Sequence, residues 1–140
     1  MNNAKKRALV YWASTGLIAL IMGISAVSYL LRVPHFVEST HGLGYPTYFM
    51  SILGVAKLLG VLALLWPGWP GLKEWAYAGF TFNLVGATWS HLATGQLDHA
   101  LLAAAWLTVL LVSYWTYRKR GHTQAGGLAP PPATPAKATA

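Results

Sequence analysis

Four long apolar stretches constrain the fold of this chain more than any other feature. About 20 apolar residues are enough to cross the hydrocarbon core of a bilayer as a helix. The third stretch is more polar because Asn83 and His91 interrupt it. We expect packing against the neighbouring helices to stabilise it as a membrane span. The sequence therefore predicts an all-α fold, a four-helix transmembrane bundle. Its helices are predicted at about residues 8–31, 48–66, 75–94 and 98–118.

The composition excludes an ordinary soluble domain. Only 9% of the 140 residues are charged and 55% are hydrophobic, whereas a soluble domain carries about 25% charged residues. The net charge of +7 comes largely from two clusters, Lys5-Lys6-Arg7 and Arg118-Lys119-Arg120, which adjoin apolar stretches as membrane anchors do. The expected partner is thus the lipid bilayer and not nucleic acid. The absence of cysteine excludes disulfides, thiolate metal sites and dithiol redox chemistry on this chain.

The chain divides into one transmembrane domain, residues 1–120, and a Pro/Ala-rich tail, residues 121–140. The tail has little to bury and is predicted to be disordered. In the first connection, Pro34 and Gly42 could bound a helical turn or two, since proline suits the start of a helix and glycine its end. The second connection, WPGWPGLKE, indicates a tight turn.

The distribution of Lys and Arg between the connections predicts the orientation. If the N-terminus is cytoplasmic, only Arg32 lies on the outer side. We therefore expect a multi-pass protein of the bacterial inner membrane, a cell membrane, with both termini in the cytoplasm. The cytoplasmic side would then hold eight basic residues: Lys5, Lys6, Arg7, Lys73, Arg118, Lys119, Arg120 and Lys137.

Small residues at helical spacing predict which faces pack together, because lipid gives no hydrophobic drive for helix association. Each of the first three apolar stretches carries one such stripe, and each stripe is expected to face the bundle interior. The stripes are Gly16, Ala19, Gly23 and Ala26; Leu53, Lys57, Gly60 and Leu64; and Gly79, Asn83, Gly86 and Ser90.

Lys57 is the sharpest candidate for chemistry. It lies nine residues before Trp66, about 13 Å of helix rise, which places it near mid-membrane. An intramembrane lysine is costly and needs an interior partner. Asn83 lies at matching depth, so we predict an Asn83–Lys57 hydrogen bond, with Thr15 and Thr108 in the same layer. The alternatives are a snorkelling lysine or a purely structural polar clasp.

A second polar group gathers at the expected outer face. Histidines with carboxylates can bind metals or relay protons, but no spacing here is a metal signature, and no metal site is predicted. His91 lies within a span, so it is the candidate for ligand contact or proton transfer. Glu74, by contrast, is expected to complement the dipole at a helix start. The outer-face residues are His35, Glu38, His41, His91, Asp98 and His99.

Four strings occur in the order HGLGYPTYF, AKLLGVLALLWP, LKEWAYAGF and SHLATG. As a series they resemble the DoxX-like family of small four-helix bacterial membrane proteins, and the resemblance covers roughly residues 8–118. The tail lies outside it. The resemblance places family-pattern residues on Tyr45, Pro46, Lys57, Leu58, Gly60, Glu74, Trp75, Ala76, Tyr77, Gly79 and His91.

The resemblance implies a link to membrane redox complexes, since the family takes its name from a membrane subunit of a thiosulfate:quinone oxidoreductase. No cofactor is evident, but a quinone is possible. The leading hypothesis is a quinone-proximal subunit in which Lys57 and His91 contact the quinone and a membrane redox partner protein supplies electrons. One alternative is an assembly factor or scaffold without catalytic activity. Another is passage of protons or small solutes, which would require a homo-oligomer.

Overall fold

The computed structural model describes the backbone of residues 2–126 and the side chains of residues 2–120. This part of the chain is all-helical, which confirms the predicted class. One helix more than the predicted four is present, because the first connection forms a short helix of its own. The helices are α1 (Asn3–Leu30), α2 (Pro34–Gly42), α3 (Thr47–Leu65), α4 (Pro70–Ala93) and α5 (Leu97–Gly126).

Proline and glycine set most of the helix boundaries. Pro34 and Pro70 each lie in the first turn of a helix, where the missing N–H costs nothing. α4 consequently begins five residues before the predicted start at Trp75, directly after the turn at Gly68, whose φ is 91°. α5 continues through Gly126, past its predicted end near residue 118. The remainder of the predicted tail, residues 127–140, lies outside the described residues.

Three of the described helices are long and apolar enough to cross a membrane: Asn3–Leu30, Thr47–Leu65 and the Leu97–Arg120 part of α5. α4 is long enough, at 24 residues, but is not apolar enough to join them. α1 packs against α3 and α5, and α4 packs against α5 and α3. The buried cluster of Ile18, Met22, Leu64, Phe80 and Leu110 lies where these four helices meet.

The small-residue stripes are only partly the packed faces. On α1, Ala19 and Ala26 are buried as predicted, but Gly16 is exposed, so the prediction is wrong at that residue. On α3, Lys57 and Leu64 are buried as predicted. On α4 the prediction is wrong, because Gly79 and Gly86 are exposed and an added Cβ would meet nothing within 4 Å at either. The buried residues of α4 are instead Ala76, Tyr77, Phe80 and Leu84.

The large residues of α4 therefore pack into gaps on its neighbours. Phe80 covers Gly60 of α3 so closely that a Cβ there would lie 2.7 Å from the Phe80 Cζ. α1 and α3 approach each other at Gly54 in the same way.

A buried polar cluster joins α1, α4 and α5. The Ser113 hydroxyl lies 2.7 Å from the Thr15 hydroxyl and 2.8 Å from the Tyr77 hydroxyl. Thr15 thus belongs to this cluster and not to a layer with Lys57. The Thr108 hydroxyl donates to the Ala104 carbonyl of its own helix and is exposed, so the prediction of a layer of Lys57, Thr15 and Thr108 is wrong.

Candidate ligand site around Lys57

Lys57 is buried, with 7% of its surface exposed, and both of its partners lie on α1. Its Nζ donates to the Ser25 Oγ at 2.9 Å and lies 4.1 Å from the centroid of the Tyr29 ring. Ser25 and Tyr29 are one turn apart, so they share the face of α1 that meets α3. The predicted hydrogen bond to Asn83 is wrong, because α3 packs closely on α1 one turn before Lys57 and brings the ammonium to that helix.

A cleft of about 190 Å³, here called the polar cleft, extends from Lys57 toward the end of the molecule that carries α2. Its wall includes side chains from three parts of the chain that can hydrogen-bond a ligand: Tyr45 from the α2–α3 connection, Lys57 from α3, and Asn83 and His91 from α4. The full lining is Tyr29, Ser39, Thr40, Leu43, Tyr45, Phe49, Leu53, Lys57, Phe82, Asn83, Gly86, Ala87, Ser90 and His91.

At the far end of the polar cleft, the α2–α3 connection contacts α4 through two residues of the cleft wall. The hydroxyls of Tyr45 and Ser90 lie 2.8 Å apart. Tyr45 also stacks on Phe49, with ring centroids 4.6 Å apart and planes at 16°. These contacts fix the phenol of Tyr45 at the cleft wall, where its hydroxyl can turn to a ligand.

A second cleft of about 300 Å³, here called the apolar groove, runs between α3 and α4 on the other side of Lys57. It shares Leu53, Lys57 and Asn83 with the polar cleft. Among the described residues, Asn83 has no hydrogen-bond partner, so its carboxamide is available where the two clefts meet. The remaining lining is Ala56, Leu59, Gly60, Ala63, Leu72, Trp75, Ala76, Gly79 and Phe80.

The outer-face residues do not converge on one site. The His91 Nδ1 lies 3.1 Å from the Gln96 Oε1, and its ring stacks on His99 at 5.3 Å between centroids. The His99 Nδ1 in turn lies 3.2 Å from the Asp98 Oδ2. His91, His99 and Asp98 thus form a chain of contacts from the polar cleft to the exposed Asp98. Of this predicted group, only His91 lines the cleft.

The other three residues of the predicted outer group lie apart from that chain. The His41 Nε2 lies 2.8 Å from the Thr47 hydroxyl, His35 packs edge-on against Phe36, and Glu38 is exposed. Among residues 2–120, whose side chains the structure describes, no three His, Cys, Asp or Glu side chains are grouped so that they could hold a metal ion.

Most family-pattern residues lie on the two clefts. Tyr45 and His91 line the polar cleft, and Lys57 lines both. Pro46 precedes α3 as its N-cap, Leu58 is exposed, and Tyr77 belongs to the buried Ser113 cluster. The apolar groove is lined by Gly60, Trp75, Ala76 and Gly79.

Comparison with family models gives a match to the DoxX-like family over residues 13–113. The matched region is most of the chain and includes both clefts. The chain belongs to the DoxX-like family. Comparison of this DoxX-like protein with curated proteins and with solved structures found no match. The family is thus established, and the resemblance of the four strings is confirmed.

Two residues of the DoxX-like site were missed by the sequence reasoning. Ser25 and Tyr29 contact Lys57, although both lie in a stretch that reads as a uniform apolar span. The available signal was their spacing, since two polar side chains four residues apart lie on one face of a helix. Ser90 was predicted to lie on a packing stripe. Its contact with Tyr45 in the wall of the polar cleft could not be predicted without knowing where Tyr45 lies.

Glu74 of the DoxX-like pattern is not a helix cap. α4 begins at Pro70, so Glu74 is the fifth residue of the helix and lies beyond its first turn. Its Oε2 accepts a hydrogen bond of 2.8 Å from the Tyr114 hydroxyl, which also accepts from Arg118 at 3.2 Å. The carboxylate therefore joins α4 to α5, and the predicted capping role is wrong.

Proposed function

We propose that the protein spans the bacterial inner membrane as a four-helix transmembrane bundle of α1, α3, α4 and α5, with both termini in the cytoplasm. The ratio of eight Lys and Arg to one between the two sides supports this orientation. α2 then lies at the outer face, together with the far end of the polar cleft.

The proposal that α4 is the fourth membrane span is supported by hydrogen bonds that its hydroxyl groups form within the helix. Its 24 residues give a helix of about 36 Å, longer than the hydrocarbon core of about 30 Å. The hydroxyls of Thr81 and Thr88 donate to carbonyls one turn earlier, at 2.7 and 2.8 Å. These bonds remove two unsatisfied donors from the lipid-accessible surface, so α4 is less polar in place than its sequence suggests.

We propose that the two clefts bind a membrane quinone, and that the protein is a quinone-proximal subunit of a membrane redox system. The observation that carries the proposal is the continuity of the apolar groove with the polar cleft at Lys57 and Asn83. A quinone has the matching shape, a ring with carbonyl acceptors attached to a hydrocarbon tail. The groove suits the tail and the polar cleft suits the ring.

The polar groups of the clefts favour a ligand that accepts hydrogen bonds. Lys57 and Asn83 present N–H donors, and Tyr45 presents a hydroxyl. Among the described residues, no carboxylate lines either cleft. A lysine ammonium can donate hydrogen bonds but cannot accept them. It therefore favours a ligand that presents a carbonyl or phenolate oxygen over one that presents a hydrogen-bond donor.

Proton exchange is assigned to His91. The conversion between a quinone and its quinol moves two electrons and two protons, and in this proposal the electrons belong to a membrane redox partner protein. His91 lies at the cleft wall, and it stacks on His99, which contacts the exposed Asp98. The two imidazole rings stack and share no hydrogen bond, so proton transfer along this chain to the outer aqueous phase requires a bridging water.

Organic extraction of the mildly solubilised, purified protein, followed by mass spectrometry, tests the proposal. About one quinone per protein is expected, in excess over the amount in bulk co-purifying lipid. Extracts without quinone, together with a stoichiometric co-purifying membrane protein, would contradict it and would favour an assembly factor or scaffold.

A larger side chain at Gly79 should separate tail binding from ring binding. Gly79 lines the apolar groove, and an added Cβ meets nothing within 4 Å, so we expect the leucine side chain of Gly79→Leu to occupy space in the groove. A tail that loses contact with two methylenes loses about 1.6 kcal/mol. We expect at least about tenfold weaker binding of a decyl-tailed quinone, and unchanged binding of the tail-less ring.

Quenching of tryptophan fluorescence measures both affinities, and Gly16→Leu is the matched control. Gly16 is also exposed and uncrowded, but it lies on α1 away from the groove. Equal weakening of the two ligands by Gly79→Leu would mean that the tail does not lie between α3 and α4.

A further inference from the structure

A cluster of four tyrosines lies at the opposite end of the molecule from α2, where α1, α4 and α5 meet. Tyr117 stacks on Tyr11 and Tyr77, with centroids 6.2 and 5.7 Å away, and Tyr77 contacts Tyr114 at 5.2 Å. Tyr11 and Tyr77 are buried. The four rings, here called the tyrosine cluster, connect three helices and lie outside both clefts.

Three cationic side chains contact the tyrosine cluster. The Lys73 Nζ is 3.4 Å from the Tyr11 hydroxyl, and the Arg120 guanidinium carbon is 4.8 Å from the centroid of the same ring. The Arg118 guanidinium contacts Tyr114, 5.9 Å from its centroid and 3.2 Å from its hydroxyl. Cation–π contacts of this kind hold charged groups in place without neutralising them.

The protein balances the charge of this group only in part, because Glu74 supplies one negative charge against the three positive ones. Glu74 is its nearest carboxylate, and one of its oxygens is occupied by the Tyr114 hydroxyl. Among the described residues, Lys73, Arg118 and Arg120 form no ion pair. Tyr11 has a cation at its hydroxyl and another over its face, and an anion bound beside both would offset their mutual repulsion.

We propose that Lys73, Arg118 and Arg120 form a binding site for the phosphate of an anionic phospholipid. Guanidinium groups bind phosphate oxygens through paired N–H donors, and lysine adds a point charge. Trp12 and Trp115, each 57% exposed, lie close in sequence to the cluster and suit the headgroup level of a bilayer. The acyl chains then run along the exposed apolar faces of α1 and α5. This site does not depend on quinone binding.

The chain contains its own matched control for this site. Lys5, Lys6 and Arg7 carry the same charge at the same end of the molecule and are exposed. Their side chains make no hydrogen bond, ion pair or ring contact with another described residue. Both triplets contribute equally to diffuse attraction, but only the tyrosine-supported triplet presents its charges in a fixed arrangement.

Native mass spectrometry of the full chain, released from mixed micelles of phosphatidylglycerol and phosphatidylcholine at 0.15 M salt, tests the proposal. At this salt concentration, exposed charges beyond about 8 Å are screened. Wild type is expected to retain one phosphatidylglycerol at least about tenfold in preference to phosphatidylcholine. A charge-assisted hydrogen bond to a phosphate held in one place contributes about tenfold or more in affinity. The K73Q/R118Q/R120Q protein should therefore lose the preference, whereas K5Q/K6Q/R7Q should keep it.

Two further measurements make each outcome decisive. R120Q alone changes a partly exposed position, and a loss of about tenfold is expected even if the triple variant folds poorly. Excess glycerol 3-phosphate should not displace the lipid. Equal losses in the two triplet variants, or no preference in wild type, would overturn the site in favour of diffuse attraction. Displacement by glycerol 3-phosphate would overturn the lipid in favour of a soluble phosphate ligand.

Discussion

The Lys57→Met protein is expected to bind quinone about 10- to 100-fold more weakly than wild type. A hydrogen bond to a charged group contributes about 1.5–3 kcal/mol, and each 1.4 kcal/mol is a factor of ten in affinity. Methionine keeps the length of the side chain and removes only the ammonium. Stoichiometric quinone in organic extracts should therefore become substoichiometric, and titrations should show the same loss.

The same variant should fold at least as well as wild type, which distinguishes ligand binding from a structural clasp. Lys57 is buried and has one hydrogen bond, to Ser25, and one ring contact, to Tyr29. Replacing a buried charge by an apolar residue of similar volume is often neutral or stabilising. Ser25 keeps its place on α1 and, as a serine in a helix, can donate to a carbonyl one turn earlier.

Ser25→Ala is the control for the Lys57 prediction. It removes the partner that positions the ammonium but leaves the ammonium and the Tyr29 contact in place, so only a threefold change or less is expected. A thermal melt in detergent checks folding for both variants. If Lys57→Met lowers the melting temperature and leaves quinone binding unchanged, then Lys57 is a structural clasp and the assignment of the site is wrong.

The sequence predicted the helices because their signal is local. A run of apolar residues, or a proline in a first turn, identifies a helix without reference to its neighbours. The burial of Lys57 was predictable for the same reason, since a charge in the middle of such a run must face the interior. Periodicity alone also predicted the burial of Ala19 and Ala26 on α1 and of Leu64 on α3, although it wrongly placed Gly16 on the packed face.

The partners could not be predicted, because depth in the membrane does not determine which helices face each other. Asn83 and Ser25 both lie at a depth in the membrane that Lys57 can reach. The rotation of α3 about its axis directs the Lys57 ammonium to Ser25. On α4, the glycine stripe suggested one packed face, but Phe80 occupies the space over Gly60 and turns Gly79 outward. The bond between Glu74 and Tyr114 likewise depends on how α4 lies against α5.

Gly54→Leu is expected to abolish most of the folded protein. A Cβ at Gly54 would lie 2.9 Å from the Leu30 Cγ and 3.1 Å from the Ala26 carbonyl oxygen of α1. The Leu30 side chain can rotate away, but the carbonyl is part of a helix and can move only if the whole of α1 moves. Even Gly54→Ala should cost about 1–3 kcal/mol from overpacking, which exceeds the gain of about 1 kcal/mol in helix propensity.

Gly16 provides the matched control on α1. It is exposed, and an added Cβ meets nothing within 4 Å, so Gly16→Ala should gain the helix propensity without the clash. Monodisperse yield and melting temperature in detergent are measured for Gly16→Ala, Gly54→Ala and Gly54→Leu. The expected order of stability is Gly16→Ala, wild type, Gly54→Ala and then Gly54→Leu.

The Gly54 contact also determines the site, because Gly54 lies one turn before Lys57 on α3. Displacing α1 there would move Ser25 and Tyr29 away from the ammonium. Any Gly54→Ala protein that folds is therefore expected to lose quinone affinity as well as stability, whereas Gly16→Ala should lose neither. If Gly54→Leu melts like Gly16→Leu, α1 and α3 do not meet at Gly54, and the placement of Ser25 and Tyr29 beside Lys57 fails with that contact.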